Sequence, residues 1–445
     1  MRRDDHFAQD HIITTGRPVT EESSCHMVYQ LELSAGQKSV WVAQQLNPSD
    51  RSLNIAGYGA IAGAIDSAHF EAALRTVLSE VEALRARFEL TGEGLHQVIS
   101  ESLDWSLRQL DFSASADPLA EAEQWMRTDA ALEFDMANGP LFRWALIRVE
   151  PELYLWYQAM HHIIVDGFGL SLITSRVADV YTDLAAGDPV RECPPTSLAQ
   201  VIDEHTRYAA GPDFAADREF WLARLPGKPR VASLATRVSS DTSAFIRESS
   251  RITPADVDRL RAVARRLRVP WYGVVIAAVA VYLNRVTGLR DIVLGLPVAA
   301  RPSPVARRTP AMLTNVAPMC LTVDPALDFD AMVVAAAAEL MVAHERQRYP
   351  YELIIHELSG LPDGRRQLGP EVNVIAFNTS LTFGGFPSTP YNLSAGPVED
   401  MSINIYDRPD QSGMLIEFDG NAGLYRPEEL RSHLDRFVDL LRASA

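Results

Sequence analysis

Two adjacent histidines, His161 and His162, are the side chains of this sequence whose types and spacing best suit chemistry. They stand in the run MHHIIVDGFG, where Asp166 follows four residues after His162. A neutral imidazole can accept or guide a proton at neutral pH, because its unperturbed pKa is about 6.5. Asp166 can orient a ring or hold the loop through a cationic partner. Gly167 and Gly169 permit a tight turn that a side chain would block, which is a structural role.

A metal site and a purely structural pair are the alternatives for these histidines. Adjacent side chains on a strand point to opposite faces, so the two rings would not share one metal ion. No HExxH pattern and no nearby cysteine completes a set of zinc ligands, and we therefore expect no metal. From the residue types alone, two satisfied structural histidines remain an alternative to a catalytic histidine.

The elements around the histidines predict how these side chains are positioned. Two apolar runs, 141–149 and 153–160, are separated by Glu-Pro-Glu and predict a hairpin that ends at the histidines. Apolar residues at helical spacing from Leu170 to Leu184 predict a helix directly after them. Strand ends are where a rigid scaffold can present polar groups to a cleft. Strands and helices also mix in the second half, so we predict an α/β (α+β) fold with two lobes.

Loose stretches rich in glycine and proline, 186–195 and 226–229, flank the boundary that we place between the two halves. We predict an N-terminal lobe over residues 31–210, which carries the histidines, and a C-terminal lobe over 211–445. Residues 1–30 are polar and lack periodicity, so we predict a flexible leader. The remaining expected strands are 54–65, 291–298, 372–377, 381–383, 402–406 and 414–418, and the remaining helices begin at or after Asp66, Thr253, Pro270 and Pro427.

The composition excludes several classes of protein. Of 445 residues, 41 are basic and 58 are acidic, which gives a net charge of −17. Because an acidic surface repels phosphate, we expect neither nucleic acid nor an anionic membrane as a partner. The most apolar run, 271–283, is too short to span a bilayer and predicts a buried helix. Three cysteines without a CxxC pair argue against a disulfide framework, and with no visible targeting signal we expect a cytoplasmic protein.

Six ordered segments resemble a known family. The string HHxxxDG, residues 161–167, is similar to the signature of the chloramphenicol-acetyltransferase-like acyltransferases and, more narrowly, of the condensation domains of nonribosomal peptide synthetases. Two segments depart from the family pattern: Gly36 replaces an alanine in the opening motif, and an Arg-His pair is missing before Glu82. The other segments that carry the resemblance are 33–46, 82–88, 294–301, 315–319 and 347–352.

The resemblance implies a fold and an activity. The fold would be two chloramphenicol-acetyltransferase-like lobes, each a mixed sheet with helices, arranged in a V around a central tunnel. The activity would be condensation: the amine of an acceptor attacks the thioester carbonyl of a donor, an amide forms and a thiol leaves. Substrates would arrive on the phosphopantetheine arms of donor and acceptor carrier proteins, or from neighbouring synthetase domains. The resemblance implies no bound cofactor and no metal, and we expect a monomer.

The same resemblance implies roles for the residues of the site. His162, the second histidine of the signature, would face the tunnel and either accept the amine proton or orient the amine. His161 would point the other way and be structural. Asp166 would pair with Arg301 from the other half, and this pair would hold the site without transferring protons. Asn373 is a weaker candidate for a polar group in the tunnel, because a strand-edge asparagine explains it at least as well.

Related activities are the alternatives to condensation. A cyclisation variant would carry DxxxxD in place of the histidines, and that pattern is absent. An epimerising relative keeps HHxxxDG, but the NVAP and QRYPYE segments favour condensation over epimerisation. A free-standing acyltransferase that uses a coenzyme A donor or an alcohol acceptor stays open. Non-catalytic recruitment relatives usually lose the second histidine, which is present here. The sequence names neither the donor nor the acceptor.

Overall fold

The structure is a computed structural model of the 445-residue chain. It describes residues 17–19, 28–92, 94–194, 196–225, 231–237, 244–359, 368–375, 381–407 and 413–444. The strands and helices of the first half are β1 (Arg17–Val19), β2 (Val28–Leu31), α1 (Ala35–Leu46), β3 (Asn54–Ala62), α2 (Ser67–Glu80), a 3₁₀ turn (Glu82–Arg85), β4 (Ala86–Thr91), β5 (Gly94–Ser100), β6 (Arg108–Asp111), α3 (Pro118–Ala130), β7 (Phe142–Glu150), β8 (Leu153–His161), α4 (Gly167–Ala186), α5 (Leu198–Ala209) and α6 (Pro212–Arg224).

The second half begins with a strand and ends with an amphipathic helix. Its elements are β9 (Phe245–Ile252), α7 (Pro254–Leu267), α8 (Trp271–Thr287), β10 (Asp291–Val298), β11 (Asn315–Thr322), α9 (Phe329–Glu345), α10 (Tyr351–Ser359), β12 (Glu371–Ile375), β13 (Leu381–Phe383), β14 (Phe386–Asn392), β15 (Met401–Asp407), β16 (Met414–Asn421) and α11 (Pro427–Ala443). The predicted strands and helices of this half are confirmed, except that residues 376 and 377 of the predicted strand 372–377 lie outside the described residues.

Local capping explains where several helices begin. Asp66 accepts hydrogen bonds from the backbone N–H groups of Ala68 and His69, and α2 starts directly after it. Thr253 caps α7 through its side chain, which accepts from the N–H of Asp256. Such caps satisfy the N–H groups that have no partner within the helix, so these helix starts could be predicted from the sequence.

The hairpin that carries the histidines is the centre of a six-stranded sheet. β7 and β8 pair antiparallel, as predicted, and β8 also pairs antiparallel with β3. The strand order of this sheet is β13-β14-β3-β8-β7-β6. A second sheet has the order β11-β10-β12-β15-β16-β9, and a smaller one has the order β1-β2-β5-β4. The mixed sheets with packed helices confirm the predicted α/β (α+β) class.

A hairpin from the second half completes the sheet of the first half. β14 pairs with β3, with Ser388 opposite Ile61 and Asn392 opposite Gly57. Phe383 is the last residue of β13, and its ring is fully buried in the hydrophobic core of the first half. The two halves are therefore interlocked in space, although we still propose a division of the chain at residue 210.

The two hydrophobic cores bear on that proposed division. Leu198 and Val201 of α5 pack into the core of the first half, whereas Trp221 of α6 packs into the core of the second.

The run 271–283 lies in α8, whose side chains from Val274 to Ala280 are buried in the second core. Among the described residues, no single helix is long and apolar enough to cross a membrane, and only the sharply bent pair α7 and α8 passes jointly on length and composition.

Two short strands lie in the part of the chain that was predicted to be a leader. Residues 1–16 and 20–27 lie outside the described residues. Arg17–Val19 and Val28–Leu31, however, form β1 and β2, and β2 pairs with β5. Outside these two strands, a flexible leader over residues 1–30 stays a prediction. Leu31, at the end of β2, is buried in the hydrophobic core of the first half. This apolar contact helps to hold β2 in the sheet.

Candidate active site

His162 lies one residue beyond the end of β8, where the chain turns towards α4. Its backbone N–H donates to the carbonyl of Leu53 at 2.8 Å. Its ring Nδ1 lies 3.0 Å from the carbonyl oxygen of Val165. Because a carbonyl only accepts hydrogen bonds, Nδ1 carries a proton, and in the neutral form of the ring Nε2 then has a free lone pair. Nε2 has no hydrogen-bond partner among the described residues, and the side chain lines a large cavity.

His161 is buried on the opposite side of the strand end. Its Nε2 lies 3.0 Å from Oε1 of Gln44, and its Nδ1 accepts from the N–H of Ile163 at 3.2 Å. The ring of Phe134 packs edge-on against it. Burial, and then the neighbouring His162, lowers the pKa of His161 to about 3, so this ring is neutral at neutral pH. These contacts support the structural role that we propose for His161.

Asp166 and Arg301 form an ion pair across the two halves. Arg301 donates from Nη1 to Oδ2 and from Nη2 to Oδ1 of Asp166, both at 2.9 Å, and each side chain is 1% exposed. The backbone N–H groups of Gly169, Leu313 and Thr314 donate to the same carboxylate at 2.8 to 2.9 Å. Burial alone would raise the pKa of Asp166, but Arg301 and the N–H groups outweigh it and hold this pKa below its usual value.

The glycines of the signature differ in what they do. Gly167 is the first residue of α4 and does not adopt a positive φ, so the predicted tight turn does not explain it. The constraint falls on Gly169: a Cβ there would lie 2.8 Å from Cγ2 of Val165 and 3.1 Å from the backbone N and O of Ala311. Gly169 thus lets the start of α4 approach the second half. We propose only that Gly167, which is exposed, keeps the cavity open beside Asp166.

Three of the family-like segments meet behind Arg301. Ala300 has a φ of 49°, which is unusual for a residue with a side chain. Its N–H donates to Oε1 of Gln347 at 2.9 Å. Asn315 Nδ2 donates to the carbonyls of Gln347 and Tyr349 at 2.9 and 2.7 Å. These bonds fix the backbone from which Arg301 reaches Asp166.

The opening segment 33–46 joins the histidine loop to the second half. Ser34 caps α1, and its Oγ donates to the carbonyl of Met312 at 2.7 Å. Gln37, on the first turn of α1, donates from Nε2 to the carbonyl of Ile163 at 3.2 Å. Both side chains are buried. Ser34 and Gln37 therefore hold neighbouring loops together and do not line the cavity.

The cavity beside His162 is lined by both halves and has a volume of about 1200 Å³. Both halves contribute polar and apolar side chains to this lining, and two groups within it are called here the apolar wall and the polar wall. The first-half sheet and helix, with β13, supply small and apolar residues, among them Ile55, Gly57, Gly59, Leu170 and Leu381. The second sheet supplies polar side chains, among them Glu371, Asn373, Ser402, Asn404 and Glu417. Strand register explains the polar wall, because residues directly opposite each other share one face of a sheet.

Asn373 lies on this polar wall. Its Nδ2 lies 3.2 Å from Oδ1 of Asn404 on the next strand. Two further titratable side chains that line the cavity, Glu371 and His205, were not predicted from the sequence. Glu371 stands two residues before Asn373 on β12 but one residue before the predicted strand 372–377 begins, so alternation along that predicted strand did not include it. His205 on α5 has no such signal; burial, followed by the cation of Arg348, lowers its pKa to about 4.

The side chains of this site include a group that can itself accept a proton. Among the residues that the structure describes, no group of three or more histidine, cysteine or carboxylate side chains could hold a metal. The reactive group is Nε2 of His162, which has no partner among the described residues and lies at the wall of a cavity. Such a group can accept a proton from an amine or hydroxyl that attacks a carbonyl.

Comparison with known proteins gives the family. The family model described as "Condensation domain" matches residues 28–445. The chain belongs to the condensation-domain family. Condensation domains of nonribosomal peptide synthetases are acyltransferases that form amide bonds, so the predicted family and enzyme class are confirmed.

Curated relatives of this condensation domain are long synthetases. It is 38% identical over 416 residues to the dimodular nonribosomal peptide synthase of Bacillus subtilis (strain 168), covering 94% of this chain and 18% of that protein. It is 39% identical over 410 residues to the isonitrile lipopeptide synthase of Streptomyces coeruleorubidus, covering 92% of this chain and 28% of that protein. The chain thus spans less than a third of the length of either relative.

Solved structures of similar fold are condensation domains as well. The starter condensation domain of rhizomide synthetase, solved in complex with C8-CoA, has a TM-score of 0.87 and 38% identity over 93% of this chain and 94% of that chain. The first condensation domain of the calcium-dependent antibiotic synthetase, solved with a substrate analogue, has a TM-score of 0.86 and 30% identity over 93% and 95%. These matches confirm the predicted two-lobe acyltransferase fold.

Proposed function

We propose that this condensation domain joins an acyl thioester donor to an amine acceptor beside His162. The amine nitrogen attacks the thioester carbonyl carbon and a C–N bond forms. The amine proton passes to Nε2 of His162, the C–S bond breaks, and the thiolate sulfur takes up that proton. The observation that carries this proposal is the free lone pair of Nε2 at the wall of a cavity built by both halves. General-base help of this kind contributes about 10² to 10⁴ in rate.

The buried Asp166–Arg301 pair is proposed to position His162 without touching the substrate. Asp166 follows the carbonyl of Val165, which accepts from the ring of His162. The pair fastens this turn to the backbone at Leu313 and Thr314 in the second half. A pKa below the usual value keeps Asp166 ionised at neutral pH, so it does not serve as a proton donor.

We propose an acyl group as the donor, carried on coenzyme A or on the phosphopantetheine arm of a carrier protein. Two observations support this choice. The apolar wall, which includes Ile55, Leu170 and Leu381, offers contacts that suit an acyl chain. The starter condensation domain of rhizomide synthetase, 38% identical, was solved with C8-CoA. Neighbouring synthetase domains or carrier proteins are the proposed partners, with no resident cofactor, no nucleic acid and a monomeric, cytoplasmic enzyme.

Incubation with defined donors tests the proposal. We expect an octanoyl amide when octanoyl-CoA or an octanoyl-loaded carrier protein is mixed with the N-acetylcysteamine thioester of leucine, as measured by mass spectrometry. Comparing the two donors distinguishes a coenzyme A donor from a carrier-bound donor. The corresponding 2-hydroxy thioester tests the alternative of ester formation. Absence of amide with both donors, when ester forms, would replace the proposal with the alcohol-acceptor alternative.

A further inference from the structure

Glu371 places a carboxylate in the cavity on the second sheet, whereas His162, the proposed proton acceptor, follows a strand of the first-half sheet. Glu371 is the first residue of β12 and lies opposite Gly295 of β10. A Cβ at Gly295 would lie 3.0 Å from Cγ of Glu371, so the stem of the side chain lies across β10 on the cavity face. The glycine leaves the space that the glutamate stem occupies. Among the described residues, the Glu371 carboxylate has no hydrogen-bond or ion-pair partner.

Among the residues that the structure describes, the titratable groups that interact with Glu371 are carboxylates and a tyrosine. Burial, and then the carboxylate of Glu399, raises the pKa of Glu371 to about 7. Tyr351, at the start of α10, shares the same surroundings: burial and then Glu399, Glu371 and Glu352 raise its pKa. Glu371 is half-buried and faces the cavity, and a carboxylate placed there without a partner is typical of sites where a ligand supplies that partner.

The two walls of the cavity indicate which substrate meets Glu371. The apolar wall of the first half suits the acyl chain of the donor. Glu371 and Asn373 lie on the polar wall of the second half, on the same face of β12. The substrate that lies against this second wall is then the acceptor, which brings an amine and its own side chain.

We propose that Glu371 is a specificity-determining residue that selects an acceptor whose side chain carries a cation, such as a guanidinium or an ammonium group. This inference rests on the proposed function. A carboxylate and a cation form charge-assisted hydrogen bonds, which are about twice as strong as neutral ones. A neutral acceptor of the same shape leaves the carboxylate without a partner, so it is expected to bind more weakly, although it still reaches the site.

Binding of two matched acceptors tests the proposal without any need for turnover. The probes are the N-acetylcysteamine thioesters of arginine and citrulline, which have nearly the same shape and differ in charge. Isothermal titration calorimetry on the full chain at pH 8, with no donor present, is expected to give a Kd for the arginine probe about tenfold or more lower than for the citrulline probe. In Glu371→Gln this ratio is expected to fall to about one, whereas the exposed, cavity-lining control Glu352→Gln keeps it.

The wild-type protein offers a second measurement that needs no variant. Glu371 must be ionised to bind a cation, so the ratio is expected to shrink as the pH falls from 8 to 6. The side chains of the two probes do not titrate in this range, and their α-amines titrate alike. Equal affinities for both probes at pH 8, or a preference for arginine that survives in Glu371→Gln, would overturn the proposal. Amide formation is measured separately from binding. The proposed function can therefore stand when the inference about Glu371 fails, and the inference can stand when no amide forms.

Discussion

Replacing Asp166 by asparagine is expected to destabilise the whole protein rather than only the site. The carboxylate accepts five hydrogen bonds: Oδ1 accepts from Arg301 and Gly169, and Oδ2 accepts from Arg301, Leu313 and Thr314. In either orientation, the asparagine NH₂ group faces at least two donors. The charge on Arg301, whose side chain is 1% exposed, also loses its counter-ion.

The size of the effect follows from these contacts. Removing one partner of a buried ion pair costs about 3–5 kcal/mol, because the other charge stays buried and unpaired. We expect this loss in the free energy of unfolding for Asp166→Asn, and a similar loss for Arg301→Met. Because the two side chains are in direct contact, the double variant is expected to lose at least about 2 kcal/mol less than the sum of the single losses.

Urea denaturation of the wild type, the two single variants and the double variant measures this coupling. Circular dichroism follows the unfolding, and an exposed ion pair serves as the control: Arg75→Met removes a guanidinium that is half exposed and paired with Glu71 within α2. That control is expected to cost no more than about 1 kcal/mol. The reasoning is refuted if Asp166→Asn costs no more than Arg75→Met, or if the losses in the double variant simply add.

Three further perturbations test separate parts of the structure. The buried His161 has a pKa of about 3 in the folded chain against about 6.5 when unfolded, so the stability that it contributes is lost as the pH falls below 6.5. Its own contribution falls by about 2 kcal/mol from pH 7 to pH 5, so urea denaturation of His161→Asn should show a change between these pH values that differs from the wild-type change by that amount. Gly169→Ala should push α4 away from Ala311 and lower both the melting temperature and turnover; an unchanged melting temperature contradicts the close approach. Phe383→Ala should cost about 3–5 kcal/mol in urea denaturation, because its buried ring packs against Trp156 and Tyr181; a loss below about 1 kcal/mol contradicts the interlocked halves.

Local sequence patterns were sufficient for most individual elements. The hairpin of β7 and β8 follows from two apolar runs with a turn between them, and α2 and α7 follow from their capping residues. The position of α8 follows from a proline before an apolar run that is too short for a membrane. These features depend on residues that are close in sequence, so the pattern alone carries them.

Contacts between distant segments could not be predicted in the same way. No local pattern pairs Ser388 with Ile61, because many strands of similar composition could occupy that edge of the sheet. The strand Val28–Leu31 was not predicted for the same reason, since it pairs with β5, which is distant in the sequence. The expected salt bridge of Asp166 came from the family resemblance, not from the residues themselves.

The candidate site shows the same division. His162 was singled out from its type and its place at a strand end. Which ring nitrogen faces the Val165 carbonyl is set by the fold and could not be predicted from the sequence. Glu371 was missed because a glutamate at the start of a short strand is an ordinary surface residue in sequence terms. Its burial in the cavity comes from β10, β15 and the segment around Glu399.

The rate of amide formation by His162→Ala tests the central claim most directly. The assay uses octanoyl-CoA or an octanoyl-loaded carrier protein with the N-acetylcysteamine thioester of leucine, and the melting temperature is measured on the same samples. With Nε2 of His162 as the proton acceptor, we predict a loss of about 10²–10⁴ in rate and a melting temperature close to that of the wild type. A rate within twofold of the wild type would contradict the account.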